Sequence, residues 1–197
     1  MRPSDYVVHI ALSVVLIVGV YQFYFLCQRH PFRPSRELRM RIDGWIPYRP
    51  GWVWIYSFLY YPAILYTNLV VQSSRHFVYV AISFMILLVA QMTFFFIWPI
   101  ATPEAWRLLN QRRNWSERFL AFVQKFDSRE NSFPSMHTSV AMLTALHLRP
   151  ALGEWAFLFP LLITTSCLFT KQHYFVDLIP GAMLGWGAFA VFSAVYA

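Results

Sequence analysis

The sequence is poor in charged residues, which occupy only 13% of its 197 positions. Soluble globular domains carry about a quarter charged residues, because a polar surface must cover their core. Here hydrophobic residues make up 58% of the chain and aromatic residues 19%. The composition therefore excludes a soluble globular domain and a disordered chain, and it is typical of a protein embedded in a lipid bilayer.

Cysteine and acidic residues are also scarce. The two cysteines, Cys27 and Cys167, lie inside apolar stretches and are too few for a disulfide-rich secreted domain. Nine acidic residues stand against sixteen lysines and arginines, of which fourteen are arginine. This excess favours anionic partners, and arginine in particular binds phosphate through paired hydrogen bonds.

Six apolar stretches approach the length of about 20 residues that a helix needs to cross a membrane. We therefore predict an all-α fold, a single membrane domain over residues 1–197 with six transmembrane helices. The predicted spans are approximately 6–27, 52–71, 77–98, 135–148, 155–170 and 174–196. In the last span, Gly181 and Gly185 predict a small-residue face for close helix packing, and a lipid-exposed glycine pair is the alternative.

The loop 99–138, before the fourth span, interleaves aromatic and basic residues. This pattern predicts an amphipathic helix at the headgroup level, and a solvated loop helix is the alternative. Nucleic acid is a poor partner, because base stacking would compete with the membrane for the same aromatic face.

The charge distribution predicts an orientation. Thirteen of the sixteen cations fall on the side of loop 99–138, which the positive-inside rule makes cytoplasmic, with both termini external. Arginines that bind phosphate would add to the same count.

Two polar segments, 131–139 and 170–177, stand out on that side. Asp177 is the one acidic residue inside a predicted span, and ionisable residues at membrane depth are candidates for function. His173 precedes it by four residues, so a helix places both side chains on one face. The carboxylate can then accept the Nδ1 proton and leave Nε2 available for nucleophilic or acid–base chemistry. A structural hydrogen bond is the alternative.

His137 begins the fourth span as His173 begins the sixth, and we expect these two helices to lie side by side. Ser135 lies at the start of the fourth span, where unpaired backbone N–H groups bind anions. Two histidines, an aspartate and nearby cations suit phosphoryl transfer. Without a glycine-rich phosphate loop or paired carboxylates for magnesium, we expect no metal ion and no cofactor. Zinc held by His137, His173 and Asp177 is the alternative, although the prediction places no cysteine nearby as a further ligand.

The residues Phe133-Pro134-Ser135-Met136-His137, followed by His173-Tyr174-X-X-Asp177, resemble the second and third motifs of the type 2 phosphatidic acid phosphatase superfamily. Its members are six-helix membrane lipid phosphatases and phosphotransferases, and the resemblance covers roughly residues 95–190. It implies that His173 is the nucleophile and forms a phosphohistidine. It also implies that His137 is the general acid and then the base for water, that Asp177 orients His173, and that Ser135 binds phosphate.

The chain departs from this pattern in its cations. The first motif of the family, a lysine followed seven residues later by Arg-Pro, is absent, and the third motif has Cys167 where an arginine is usual. The residues predicted to bind phosphate instead are Ser135, Lys171, Arg107, Arg112, Arg113 and Arg129. The run Thr170-Lys171-Gln172-His173-Tyr174 is closer to the sphingolipid-synthase and inositol-phosphorylceramide-synthase-like branch, whose members transfer a headgroup to another lipid.

The main hypothesis is a lipid phosphatase that hydrolyses a phosphomonoester or pyrophosphate, with a phosphorylated lipid and the bilayer as its partners. The first alternative is a phosphotransferase that moves a phosphate-bearing headgroup to an alcohol or lipid. The second is a non-catalytic transporter or assembly subunit. The sequence predicts no oligomeric state.

Overall fold

The computed structural model describes residues 2–30, 32–38, 40–127 and 129–196. The helices are α1 (Pro3–Arg29), α2 (Arg41–Trp45), α3 (Val53–Phe58), α4 (Tyr60–Val70), α5 (Ser74–Ile97), α6 (Glu104–Leu108), α7 (Trp115–Val123), α8 (Met136–Leu152), α9 (Leu158–Phe169) and α10 (Phe175–Tyr196). Short 3₁₀ turns at Pro50–Trp52 and Gly153–Phe157 precede α3 and α9, and the two-residue strands β1 (Arg36–Glu37) and β2 (Ile100–Ala101) pair in parallel. The predicted helical fold is confirmed.

Four helical segments of the described chain are long and apolar enough to cross a membrane, which supports a membrane protein. They are α1, α5, α10 and the segment Met136–Phe169, which runs through α8, the 3₁₀ turn and α9. The predicted second span is divided into α3 and α4, and the predicted fifth span contains the 12-residue α9. The count of six crossings therefore stays a prediction.

Helices α8 and α9 pack against each other in antiparallel directions. The hydroxyl oxygens of Thr138 and Thr164 lie 3.3 Å apart, and Ala141 packs in one cluster with Ile163 and Cys167. The chain turns between them at Gly153, whose φ of +59° glycine adopts without steric cost. The antiparallel packing brings the end of α9 back to the start of α8.

Helices α8 and α10 touch through the two predicted glycines. A Cβ atom on Gly181 would lie 2.5 Å from the carbonyl oxygen of Ser135, and one on Gly185 would lie closer still to the carbonyl oxygen of Ser139. A larger residue at either position would therefore clash with backbone. The small-residue face and the side-by-side packing of the two helices are both confirmed.

The loop 99–138 contains two short helices, α6 and α7, rather than one long helix. In α7, Leu120 is fully buried whereas Trp115 is 79% exposed. The ring of Phe119 stacks on Trp54, with 4.7 Å between the ring centroids. Helix α7 is therefore amphipathic, while its position at the headgroups and the side of the membrane it faces stay predictions.

Candidate active site

The site begins at the amino end of α8. Ser135 is the N-cap of this helix, and its buried hydroxyl oxygen accepts a hydrogen bond from the amide of Thr138 at 3.3 Å. A serine at this position satisfies one of the unpaired amides of the first turn. The cap places His137 in that turn, next to the start of α10, because the Ser135 amide also donates to the carbonyl oxygen of Asp177 at 2.9 Å.

His173 lies in the short connection between α9 and α10 and is buried. Its Nδ1 is 3.0 Å from the carbonyl oxygen of Ser132 and 3.4 Å from Oδ2 of Asp177. A carbonyl oxygen can only accept, so this network assigns the proton to Nδ1. The lone pair of a neutral His173 is then on Nε2, which lies 3.3 Å from Nδ1 of His137.

Asp177 is completely buried in the first turn of α10. Its Oδ2 accepts a short hydrogen bond from the hydroxyl of Ser132 and another, of 2.9 Å, from the amide of Tyr174. The positive end of the α10 dipole further favours a carboxylate at this position. These contacts hold the carboxylate beside the imidazole of His173, as the predicted orienting role requires.

Aromatic rings surround His137. The ring centroids of Tyr56 and Tyr60 lie 4.6 and 5.2 Å from that of His137. These two tyrosines come from α3 and α4, which the sequence analysis did not connect with the site. Two helices far from the motifs therefore form one wall of the site.

A cysteine also lies at the site, and here the sequence prediction was wrong. One potential ligand atom each from His137, Cys167 and His173 lie within 4.8 Å of one another. Cys167 is fully buried near the end of α9, which the antiparallel turn returns to the start of α8. Among the described residues, this cluster of three has the residue types and the spacing to hold a metal ion.

Lys171 has protein partners that the sequence did not indicate. Its Nζ donates to the carbonyl oxygens of Asp43 and Ile46 at 2.7 and 2.6 Å and lies 5.2 Å from the ring centroid of Trp106. Burial lowers the pKa of Lys171, and the nearby Asp43 partly opposes that effect. Lys171 thus links α2 and α6 to the short segment between α9 and α10 that contains His173.

Two of the predicted arginines are likewise engaged with the loop. Arg107 donates to the carbonyl oxygens of Gln124 and Asp127 at 3.1 and 2.6 Å, and burial lowers its pKa. Arg129 donates to the carbonyl oxygen of Thr102 at 3.1 Å. The exposed side chains of Arg112 and Arg113 make no hydrogen bond or ion pair with the residues described. None of these four arginines makes a hydrogen bond with His137 or His173 within the described chain.

An apolar cavity of about 600 Å³ extends from His137 between α1, α4 and α5. Its lining on α1 runs from Ser13 to Phe25, which at 1.5 Å per residue corresponds to about 18 Å. Tyr56 and Tyr60 line it beside His137. Its volume falls in the range of about 300–1,000 Å³ that small-molecule sites occupy.

The sequence matches a known protein family. The family model of the PAP2 superfamily matches residues 51–191, more than two thirds of the chain, and this range contains His137, His173 and Asp177. No curated protein and no solved structure matches the sequence. The match supports a phosphatase or a related phosphoryl-transfer enzyme. The chain therefore belongs to the type 2 phosphatidic acid phosphatase superfamily.

Proposed function

We propose that this protein hydrolyses a lipid phosphomonoester or pyrophosphate through a phosphohistidine on His173. The observation that carries the proposal is the orientation of the His173 ring. Its Nδ1 is engaged by the Ser132 carbonyl at 3.0 Å and by Asp177, while its Nε2 lies 3.3 Å from His137. A nucleophilic imidazole needs this combination of an anchored Nδ1–H and an available lone pair on Nε2.

In the first step, Nε2 of His173 bonds to phosphorus and the bond between phosphorus and the leaving oxygen breaks. His137 in its protonated form donates a proton to that oxygen and becomes neutral, and Asp177 stabilises the positive charge on the His173 ring. In the second step, His137 removes a proton from water, the water oxygen attacks phosphorus, and the phosphorus–nitrogen bond breaks to release phosphate. The 3.3 Å contact between the two rings is a hydrogen bond, so the phosphoryl group must separate them as it enters.

The amino end of α8 supplies donors for the phosphate oxygens. The first turn of a helix leaves amides unpaired, and here these belong to residues such as Met136 and His137. The hydroxyl oxygen of Ser135 accepts from Thr138 and keeps its own proton for an anion. The helix dipole adds to this attraction, so an anion can bind here even though several nearby cations are occupied elsewhere.

The apolar cavity supports a lipid as the substrate. A lipid tail lying in it would extend from His137 along about 18 Å of α1, while the phosphate meets the histidines. We also propose that α3 with α4, and α9, complete six crossings. The 18 residues of Val53–Val70 rise about 27 Å as a helix, close to the thickness of about 30 Å of a hydrocarbon core.

The test is to trap the intermediate. Detergent-purified protein is mixed with a lipid pyrophosphate labelled at its terminal phosphate and quenched rapidly in base, because phosphohistidine is labile in acid. We expect labelled wild-type protein, no label on His173→Ala, and accumulation of label on His137→Ala, since pyrophosphate leaves without strong acid assistance but water still needs a base. Turnover by His173→Ala would contradict the proposal, and unchanged function of that variant in cells would favour a non-catalytic subunit.

A phosphotransferase is the second candidate, and one observation favours it. The residue that would deprotonate the acceptor, His137, faces tyrosine rings and an apolar cavity, where a lipid alcohol binds better than water. Product analysis separates the two reactions. Free phosphate supports hydrolysis, whereas a new phosphorylated lipid that forms only with an added alcohol supports transfer.

A further inference from the structure

We propose that His137, Cys167 and His173 form a binding site for a soft divalent metal ion such as Zn²⁺, and that the bound ion blocks phosphoryl transfer. Binding follows from the side chains alone. The block rests on the proposed function, because it assumes that His173 is the nucleophile. This metal would be a reversible inhibitor rather than a cofactor.

The spacing of the ligand atoms fits a tetrahedral ion. Nδ1 of His137 and Nε2 of His173 are 3.3 Å apart. Two nitrogens bound to tetrahedral zinc at about 2.0–2.1 Å lie about 3.3–3.4 Å apart, so the separation of these two atoms already matches that of zinc ligands. One potential ligand atom each from His137, Cys167 and His173 lie within 4.8 Å of one another. A thiolate and an imidazole on the same ion lie about 3.6 Å apart, so each sulfur-to-nitrogen distance shortens by about 1.2 Å at most.

The groups behind the ligands are those that a metal-bound histidine needs. A ligating imidazole donates its other N–H to a carboxylate or a carbonyl, which orients the ring. His173 has both partners, the Ser132 carbonyl at 3.0 Å and Asp177 at 3.4 Å. The ring of His137 packs against Tyr56 and Tyr60. Cys167 is fully buried, so its thiol is protected from competing reactions with solvent.

Metal binding and catalysis exclude each other here. The ion takes the Nε2 lone pair of His173, which would otherwise attack phosphorus. The proton on Nδ1 of His137 moves to Nε2 of the same ring, and the Cys167 thiol releases its proton to solvent as it becomes a thiolate ligand. Three protein ligands leave the fourth position for water or a phosphate oxygen. Because a proton is released, the affinity for the metal rises with pH.

Cobalt provides the direct test. Detergent-purified protein is stripped with a chelator and titrated with Co²⁺, and we expect one equivalent to give a near-ultraviolet thiolate-to-cobalt band and the visible bands of tetrahedral Co²⁺. Cys167→Ser removes the thiolate band and weakens binding by more than about tenfold, since even loss of a group behind a ligand costs 10–100-fold. Cys27→Ser is the matched control. This other buried cysteine, on α1, contacts Met92, and we expect its replacement to leave the spectrum unchanged.

A wild-type protein without the thiolate band, or a Cys167→Ser variant that keeps it, overturns the site. If Cys167→Ser does not fold, X-ray absorption of zinc-loaded wild type decides. One sulfur at about 2.3 Å supports the site, and a shell of nitrogen and oxygen alone refutes it.

Activity is measured separately. Zn²⁺ should stop wild-type turnover reversibly, and Cys167→Ser should need more than about tenfold more zinc for the same fractional inhibition. Faster turnover with zinc would overturn the inhibitory role. If no lipid phosphate is turned over without metal, the proposed function fails, and the cobalt titration still decides the metal site.

Discussion

Replacement of Asp177 by asparagine tests the electrostatic part of the proposed mechanism. The change removes one negative charge and keeps the shape of the side chain. The amide oxygen of asparagine can still accept from the amide of Tyr174 and the hydroxyl of Ser132, as Oδ2 of Asp177 does now. The interaction that the variant loses is the attraction between a carboxylate and a positively charged His173 ring.

The distance between these groups sets the size of the effect. Two unit charges 3.4 Å apart attract by about 5 kcal/mol at an effective dielectric constant of about 20. The dipole of the asparagine side chain replaces part of this lost attraction. The Ser132 carbonyl at 3.0 Å still keeps the proton on Nδ1 of His173. The fall in kcat should therefore be smaller than the factor of about 10⁴ seen when an orienting aspartate is the group that fixes the tautomer of the catalytic histidine. We expect kcat to fall by about 10²–10³-fold, or about 3–4 kcal/mol.

The assay is single-turnover phosphorylation of His173 in detergent, with Asp43→Asn as the control. Asp43 is also buried, and it also accepts a hydrogen bond from an amide in the first turn of α10, that of Phe175 at 2.8 Å. Among the described residues, no hydrogen bond joins Asp43 to His137 or His173. Burial raises the pKa of Asp43, so its charged form is already disfavoured. We expect the control to phosphorylate within about threefold of wild type.

Two results would refute the reasoning. If Asp177→Asn phosphorylates as fast as wild type, the carboxylate does not stabilise charge on the ring. If both variants lose activity to the same extent, the role of Asp177 is to hold the start of α10 in place rather than to assist chemistry.

Three further predictions address packing and the phosphate site. Gly185→Ala should lower stability by about 1–3 kcal/mol in thermal unfolding, because its methyl group meets the α8 backbone, whereas Gly187→Ala on the same helix has no atom within 4 Å and should be neutral. Arg107→Ala should lower the unfolding temperature and leave KM unchanged, since its guanidinium bonds two loop carbonyls; a raised KM would show that it binds phosphate instead. Ser135→Ala should raise KM for the lipid phosphate and cost about 1 kcal/mol of stability from the lost helix cap, and a variant with wild-type KM would exclude the hydroxyl from phosphate binding.

The proximity of His173 and Asp177 was predictable because its signals are local. The spacing of His173 and Asp177 is one helical turn, and a carboxylate in an apolar stretch is costly unless it has a function. The partners that came from distant segments had no such signal. The partner at Ser132 is a backbone carbonyl, which every residue has, so the residue type does not identify it. Cys167 reaches the site only because α9 folds back along α8.

The cations were harder to assign than the histidines. Net charge indicates that anions are favoured, but it does not tell which arginine points at a ligand and which satisfies a carbonyl. Arg107 and Arg129 donate to main-chain oxygens of loop 99–138, and Lys171 donates to main-chain oxygens at the end of α2. Backbone carbonyls that are not paired within a helix or a sheet need another hydrogen-bond donor, and long cationic side chains supply one.

The fold was predictable wherever hydrophobicity is continuous and less so where helices break. The stretches that became α1, α5 and α10 are apolar over most of their length and form unbroken helices. The stretch 52–71 has the same overall hydropathy pattern, yet it starts in a 3₁₀ turn at Pro50 and is divided at Leu59. Both breaks lie close to prolines: Pro50 begins the 3₁₀ turn, and Pro62 has no N–H to donate to the carbonyl of Phe58, four residues earlier.

The glycine contact between α8 and α10 explains how a phosphate site can exist with few cations on it. Close approach of the two backbones lets the Ser135 amide donate to the Asp177 carbonyl, so both helices begin at the same place. Two positive dipole ends then converge near the histidines. The carboxylate of Asp177 interacts with the positive end of the α10 dipole. The positive end of the α8 dipole is then available to a bound anion. We therefore expect main-chain amides to stabilise a bound phosphate in place of the arginine that is usual in the third motif, and any residue that separates α8 from α10 should weaken phosphate binding before it unfolds the protein.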